Sequence, residues 1–213
     1  NQGSAVINVI NDASFKVGKG ECVALTGASG AGKSTLMRMI YGNYLTQAGE
    51  IHIGTLDLVR AKPRQVITLR REFLGYVSQF LRVVPRVPTL EVVAEPLRAV
   101  GVDAEQAETR AKFLLTRLNI PQRLWNLSPT TFSGGEQQRV NIARGFAHNY
   151  PAMLMDEPTA SLDVANREVV LSLIEEAKFR GAAIVGIFHD EAARKRVCDR
   201  EIDVSCFTPG LAA

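Results

Sequence analysis

Apolar runs and helical repeats alternate along this chain in a regular order. Residues 21–26 form an apolar-rich stretch that predicts a buried strand, followed by a glycine turn over 27–32 and a helix over 33–41 that Gly42 ends. Residues 51–53 alternate as a strand does. Helical spacing returns over 63–73, and 74–78 is strand-like, delivering Gln79 to its end. Helices are expected to begin near Thr89 and near Asp103, the second running to Leu118. After a Ser-Gly-Gly turn, 136–148 reads as helix, 152–155 as a buried strand, 164–180 as helix and 182–188 as a second buried strand. Phe15, alternating with Ala13 and Val17, is expected at a core position of an early strand.

Strands that alternate with helices and are apolar on both faces predict an α/β fold, a mainly parallel sheet with helices packed on each side. The reading is one domain over 1–213, with a core from 1–85 and 150–213 and a helical insertion over 86–149 that carries the Ser-Gly-Gly turn. Open sheets of this kind bind ligands at the carboxyl ends of their strands. Gln79, Asp156, Glu157 and His189 all fall at such ends.

Composition narrows the function classes. A chain of 213 residues, 46% hydrophobic, is long enough for one well-buried core. Twenty-five basic against 22 acidic side chains leave a net charge of +3 with no run of five or six like charges, so nucleic acid is not an expected partner. No apolar stretch approaches the roughly 20 residues needed to cross a bilayer. Cys22, Cys198 and Cys206 are odd in number and lack Cys-x-x-Cys spacing, which suits a reducing cytoplasm and the bland reading of three core or surface thiols.

The strongest motif is Gly27-Ala28-Ser29-Gly30-Ala31-Gly32-Lys33-Ser34, a phosphate loop placed between strand and helix. Its glycines let backbone N–H groups approach phosphate oxygens, and the helix starting at Lys33 directs its positive end at them. Lys33 should reach the β and γ phosphates of ATP, Ser34 should coordinate Mg²⁺, and Thr35 is placed for the α phosphate. Asp156 and Glu157 end a buried strand side by side. The first is suited to hold Mg²⁺ through water, the second to face an attacking water as general base. Gln79 offers an amide to both Mg²⁺ and that water, and His189 an imidazole to the γ phosphate. His52 and His148 lack a comparable setting.

Ser133-Gly134-Gly135-Glu136-Gln137 opens a helix and offers a second phosphate-binding surface. One phosphate cannot touch both surfaces of one domain. The arrangement this implies is two ATPase domains head to tail, with ATP held between the phosphate loop of one and the Ser133, Gly134, Gly135 and Gln137 segment of the other.

Phosphate loop, Gln79, Ser-Gly-Gly-Glu-Gln, Asp-Glu, Ser161-Leu162-Asp163 and His189, in that order, resemble the ABC-type ATPases along most of the chain. The resemblance implies a phosphate-loop ABC ATPase fold, Mg²⁺-dependent ATP hydrolysis, a nucleotide contact for Asp163 and a second ATPase protomer, identical or different. The stretches 77–86, 124–132 and 181–191 are similar to the ATP-binding subunit of bacterial carbon–phosphorus lyase systems. That likeness implies soluble lyase core proteins as partners in phosphonate breakdown, at the step that forms ribose 1-phosphonate 5-triphosphate. The alternative is the nucleotide-binding subunit of an ABC transporter of the lipoprotein-release or efflux type, with a membrane permease as partner. Phe80, Leu81, Val83 and Val84, flanked by Arg82 and Arg86, are the expected docking face, with ordinary core packing as the competing reading. ABC ATPases also stack an upstream aromatic residue on adenine. No aromatic residue precedes Phe15, so the expectation is that the amino-terminal strands are missing and that base selectivity is weak.

Overall fold

The computed structural model describes residues 10–46, 48–83 and 85–207. Five strands, β1 (Cys22–Thr26), β4 (Leu74–Val77), β5 (Ala152–Asp156), β6 (Ala183–Ile187) and β7 (Arg200–Asp203), form one parallel sheet in the order β4-β5-β6-β1-β7. β2 (His52–Ile53) and β3 (Leu56–Asp57) pair separately as a short antiparallel hairpin. The register joins Val77 to Met155 and Asp156 to Ile187, so the residues that follow β4, β5 and β6 leave the sheet along one edge.

Side chains on the strands divide between two cores, as the two-residue period requires. Cys22 and Ala24, Met153 and Met155, and Ile184 face one side. Val23 and Leu25, Leu154, and Val185 and Ile187 face the other. The second face is covered by Leu36 and Met37 of α1 (Lys33–Ile40) and Leu69 of α2 (Pro63–Glu72). The first is covered by α6 (Val164–Phe179), α7 (Glu191–Val197) and a helical block. That block is α3 (Thr89–Ala99), α4 (Ala104–Arg117) and α5 (Gly134–Gly145), packed on one another around Val93, Leu97, Leu114, Leu115 and Ile142. Burying each such aliphatic side chain contributes about 1.5–3 kcal/mol.

The helical block meets the sheet at α5. A Cβ on Gly145 would lie 2.4 Å from Val77 Cγ2, so only glycine lets α5 come this close to β4. Asn141 Nδ2 then donates to the Ser78 carbonyl at 2.5 Å, and Arg144 donates to the Arg82 carbonyl at 3.5 Å and pairs with Glu95 at 3.2 Å. These contacts fix the segment after β4 against the helix that carries the Ser-Gly-Gly turn.

Three expectations change. Residues 13–18 form no strand: Ala13, Phe15 and Val17 are half-buried in alternation, with Phe15 and Val17 on the second core, but no ladder forms there. α5 begins at Gly134, two residues earlier than the pattern suggested, because Ser133 caps it, and it stops at Gly145. α7 and the edge strand β7 were not anticipated. Val84 of the expected docking face and the first nine residues, to which the missing-strand expectation refers, lie outside the described residues.

Candidate active site

The turn after β1 is shaped by glycine where no other residue fits. Gly27 has φ 123°, and a Cβ there would lie 2.9 Å from Ser205 Oγ and 3.0 Å from Asp203 Oδ1. Asp203 is held below the usual aspartate range by the Ser205 backbone N–H and side chain, with Lys33 adding to the effect. Gly32 caps α1 with φ 95°, no side chain caps the helix, and its first turn holds no acidic residue. The amino-terminal N–H groups of α1 are thus left to an anion. Lys33 Nζ lies across the loop, donating to the carbonyls of Gly27 (2.7 Å) and Ala28 (2.8 Å). Ala28, Ser29, Gly30 and Ser34 are exposed, Ala31 is buried and Thr35 is half-buried. A backbone cradle with the Lys33 ammonium laid over it has the donor set that a triphosphate needs.

At the ends of the neighbouring strands, three predicted side chains meet on one carboxylate. Gln79, after β4, has its Nε2 3.5 Å from Glu157 Oε2, and His189, after β6, has its Nε2 2.7 Å from Glu157 Oε1. Each carboxylate oxygen therefore has one neighbour. Glu157 itself is in the left-handed region at φ 54°, a conformation costing roughly 1–3 kcal/mol for a residue with a Cβ. Its backbone is held there from several sides. The N–H donates to Ile187 O at 3.0 Å, and the carbonyl accepts from Ala160 N at 3.1 Å and Gln138 Nε2 at 3.4 Å.

Asp156 is buried beneath this group. Burial, and then the neighbouring Glu157 charge, push its carboxyl above the usual aspartate range, while the Tyr76 hydroxyl, 3.4 Å from Oδ2, opposes the shift. Among the described residues Asp156 has no ion pair within 4 Å, so its charge is left for a cation. The Asp156 carboxylate, the exposed Ser34 hydroxyl and the Gln79 amide carbonyl are oxygen donors of the kind Mg²⁺ takes together with phosphate oxygens.

Ser133 and Glu136 satisfy each other at the start of α5. Ser133 Oγ donates to Glu136 Oε2 at 2.7 Å, Ser133 N–H donates to the same oxygen at 2.9 Å, and Glu136 is held below the usual range by these contacts. A Cβ on Gly134 would meet nothing within 4 Å, and one on Gly135 would lie 3.3 Å from Ser161 O. The turn is thus open on its outer side and backed by the Ser161 loop. Gln137 and Asp163 are engaged within the chain. The Gln137 amide donates to Phe132 O at 2.9 Å, and the Asp163 carboxylate caps α6 and accepts from Asn166 at 2.8–3.0 Å.

Gln138, Asn141 and Asp203 take part in this architecture and are absent from the sequence-based site. The available signal was two amides three apart on a helix, both of which prove buried.

Residues 10–160 match the family described as ABC transporter. The lipoprotein-releasing system ATP-binding protein LolD of Shewanella sp. (strain MR-4) is 36% identical over 201 residues, 94% of this chain and 86% of that protein. The macrolide export ATP-binding/permease protein MacB of Sodalis glossinidius (strain morsitans) is 34% identical over 194 residues, 91% of this chain but 30% of that longer protein. Among solved structures, the dimeric post-hydrolysis state of the ATP-binding cassette MJ0796 bound to ADP and Pi superposes with a TM-score of 0.87 at 28% identity. The alignment covers 96% of this chain and 90% of that one.

Proposed function

This chain belongs to the ABC transporter family and is an ATPase, and from that premise we propose that it drives a partner assembly as one half of a two-domain ATP clamp. The observation that carries the reading is the meeting of Gln79 and His189 on the Glu157 carboxylate, at the ends of three adjacent parallel strands. In this reading the loop 27–32, Lys33, Ser34 and Thr35 bind the triphosphate. Ser34, Gln79 and Asp156 hold Mg²⁺, which neutralises phosphate charge when bound. Glu157 takes the proton of the attacking water, and His189 keeps that carboxylate and the γ phosphate aligned. Phosphoryl transfer asks for positioning and charge compensation more than for covalent chemistry.

Ser133, Gly134 and Gly135 complete the site of a second protomer, supported by the open outer face of the turn and by the dimeric form of the similar cassette MJ0796. Gln137 and Asp163 serve this surface indirectly, by holding Phe132 and the start of α6 in place.

For the partner, the relatives reported above serve lipoprotein release and macrolide export. Neither name concerns phosphonate breakdown, so they favour the transporter alternative over the carbon–phosphorus lyase reading. We accordingly infer a membrane permease as the driven element. Its docking surface would lie around Phe80, 71% exposed, and the neighbouring cavity of about 310 Å³ lined by Tyr41, Arg70, Tyr76, Glu95, Arg144 and Tyr150. Leu81 and Val83 are half-buried and pack in part against the first core, so Phe80 offers the most exposed apolar surface of that face. The lyase assembly stands as a second reading on the stretches 77–86, 124–132 and 181–191 alone. Among the described residues no helix is long and apolar enough to cross a membrane, so under either reading the driven element is another chain or segment. Affinity capture from native extract separates the two. Recovery of integral membrane permeases supports transport, and recovery of phosphonate-metabolising proteins without them supports the lyase reading.

A further inference from the structure

Cys22 and Cys198, 176 positions apart in sequence, place their sulfur atoms 3.6 Å from each other. Cys22 is the first residue of β1 and is fully buried, and Cys198 caps the carboxyl end of α7 and is partly exposed. The backbone fixes this juxtaposition. Cys22 N–H donates to Asp199 Oδ2 at 2.7 Å, and Asp199 N–H donates to Cys22 O at 2.8 Å. Lys178 Nζ ties the same corner, donating to Val197 O at 2.6 Å and Asp199 Oδ1 at 3.0 Å. At 3.6 Å the two sulfurs are in van der Waals contact, and a disulfide would draw them to about 2.05 Å.

We propose that Cys22 and Cys198 are an oxidisable thiol pair that forms a reversible intramolecular disulfide by exchange with a low-molecular-weight disulfide, stapling the end of α7 to the start of β1. The corner lies at the amino end of β1, opposite the phosphate loop, so the staple is separate from the ATP site.

The two thiols differ in the way an exchange reaction requires. The hydrogen bond with Cys22, and the nearby Lys178 ammonium, hold the Cys198 thiol below its usual range against the opposing effect of burial. The same bond and full burial push Cys22 up. Thiolate fraction and access decide which sulfur attacks first. Cys198 thiolate attacks the small disulfide, forming a mixed disulfide and releasing one small thiolate. Cys22 then loses its proton to that thiolate and attacks the Cys198 sulfur, expelling the second. Two protein thiols and one small disulfide become one protein disulfide and two small thiols. Cys206 is exposed and has no thiol beside it among the described residues, so it takes no part.

The test uses the full chain carrying Cys206→Ser, incubated with oxidised glutathione and analysed by intact mass without reductant. The expected product is monomeric, lighter by two hydrogens, free of glutathione adduct and joined between the peptides containing Cys22 and Cys198. Its Tm should be higher by roughly 5–10 °C, since closing so long a loop restricts the unfolded chain, and a reductant should reverse both changes. Adding Cys22→Ser should stop the reaction at a glutathione adduct on Cys198. Adding Cys198→Ser instead should leave the buried Cys22 unmodified, which keeps the test valid if the Cys22 variant folds poorly. A stable glutathione adduct in the two-cysteine protein, a covalent dimer, or no reaction would overturn the proposal.

Discussion

The strand-end cluster and the Ser133 turn differ in how much of their chemistry they finish alone. At the strand ends Gln79 and His189 each already contact Glu157, and Glu157 is held in a strained backbone conformation by its neighbours. At the turn, Ser133 and Glu136 satisfy each other, while Gly134 faces open space and Gly135 lies against Ser161. The first region is preorganised, and it is the proposed reaction site. The second is a capped helix end whose outward side, at Gly134, meets nothing among the described residues. On the reading proposed above, a chain built this way should hydrolyse poorly alone and well when another protomer brings its turn to the phosphate loop.

Variants break this contrast in graded ways. Glu157→Gln removes the proton acceptor while keeping shape, and turnover should fall roughly 10²–10⁴-fold with nucleotide binding retained. Phosphate release and equilibrium binding, measured side by side, check it. Comparable losses in both would place Glu157 in binding instead. Ser133→Ala should lower partner-dependent turnover by about 10²-fold, as loss of one transition-state donor does, without changing nucleotide affinity of the isolated chain. It should also cost about 1 kcal/mol of stability through the lost helix cap. A drop in isolated-chain affinity would show that the turn acts within its own protomer.

Asn141→Ala probes the tie between the two regions. The Ser78 carbonyl loses its donor, so stability should fall by about 1–3 kcal/mol, read as a lower midpoint in denaturant.

The smallest effect on stability concerns Asp156. Its carboxyl is raised in the folded chain, so between the ordinary aspartate range and the raised value the folded state binds more protons than the unfolded state. Stability therefore falls as pH rises through that window, and ionised Asp156 is a standing cost at neutral pH. Asp156→Asn should raise Tm slightly at pH 7, lose that advantage below the window, and abolish Mg²⁺-dependent turnover. A lower Tm at pH 7 would contradict the burial argument.

The parts of this fold legible in the sequence are those where one physical signal dominates. The continuous apolar residues of β1, β5 and β6 and the glycines of the phosphate loop left little choice of structure. β7 was hidden because an edge strand buries one side: of Arg200, Glu201, Ile202 and Asp203 only Ile202 is buried. α7 was hidden because four of its seven residues, Glu191, Arg194, Lys195 and Arg196, are charged. Residues 13–17 show the reverse failure, since their alternating burial has no neighbouring strand to pair with among the described residues. In the candidate site the motif residues were legible, but Gln138 and Asn141 were not. Their amides make sense only once α5 lies against the ends of β4 and β5, and Gly145 permits that approach for a reason visible only in three dimensions.

In the proposed clamp one ATP is shared between the phosphate loop of one protomer and the Ser133 turn of another. A structure of the Glu157→Gln protein with ATP, Mg²⁺ and its ATPase partner would show it. The Ser133 hydroxyl and the Gly135 N–H should lie within hydrogen-bond reach of the γ phosphate held by the opposite Lys33. Finding the triphosphate bound by the phosphate loop while every Ser133 turn faces solvent would contradict it.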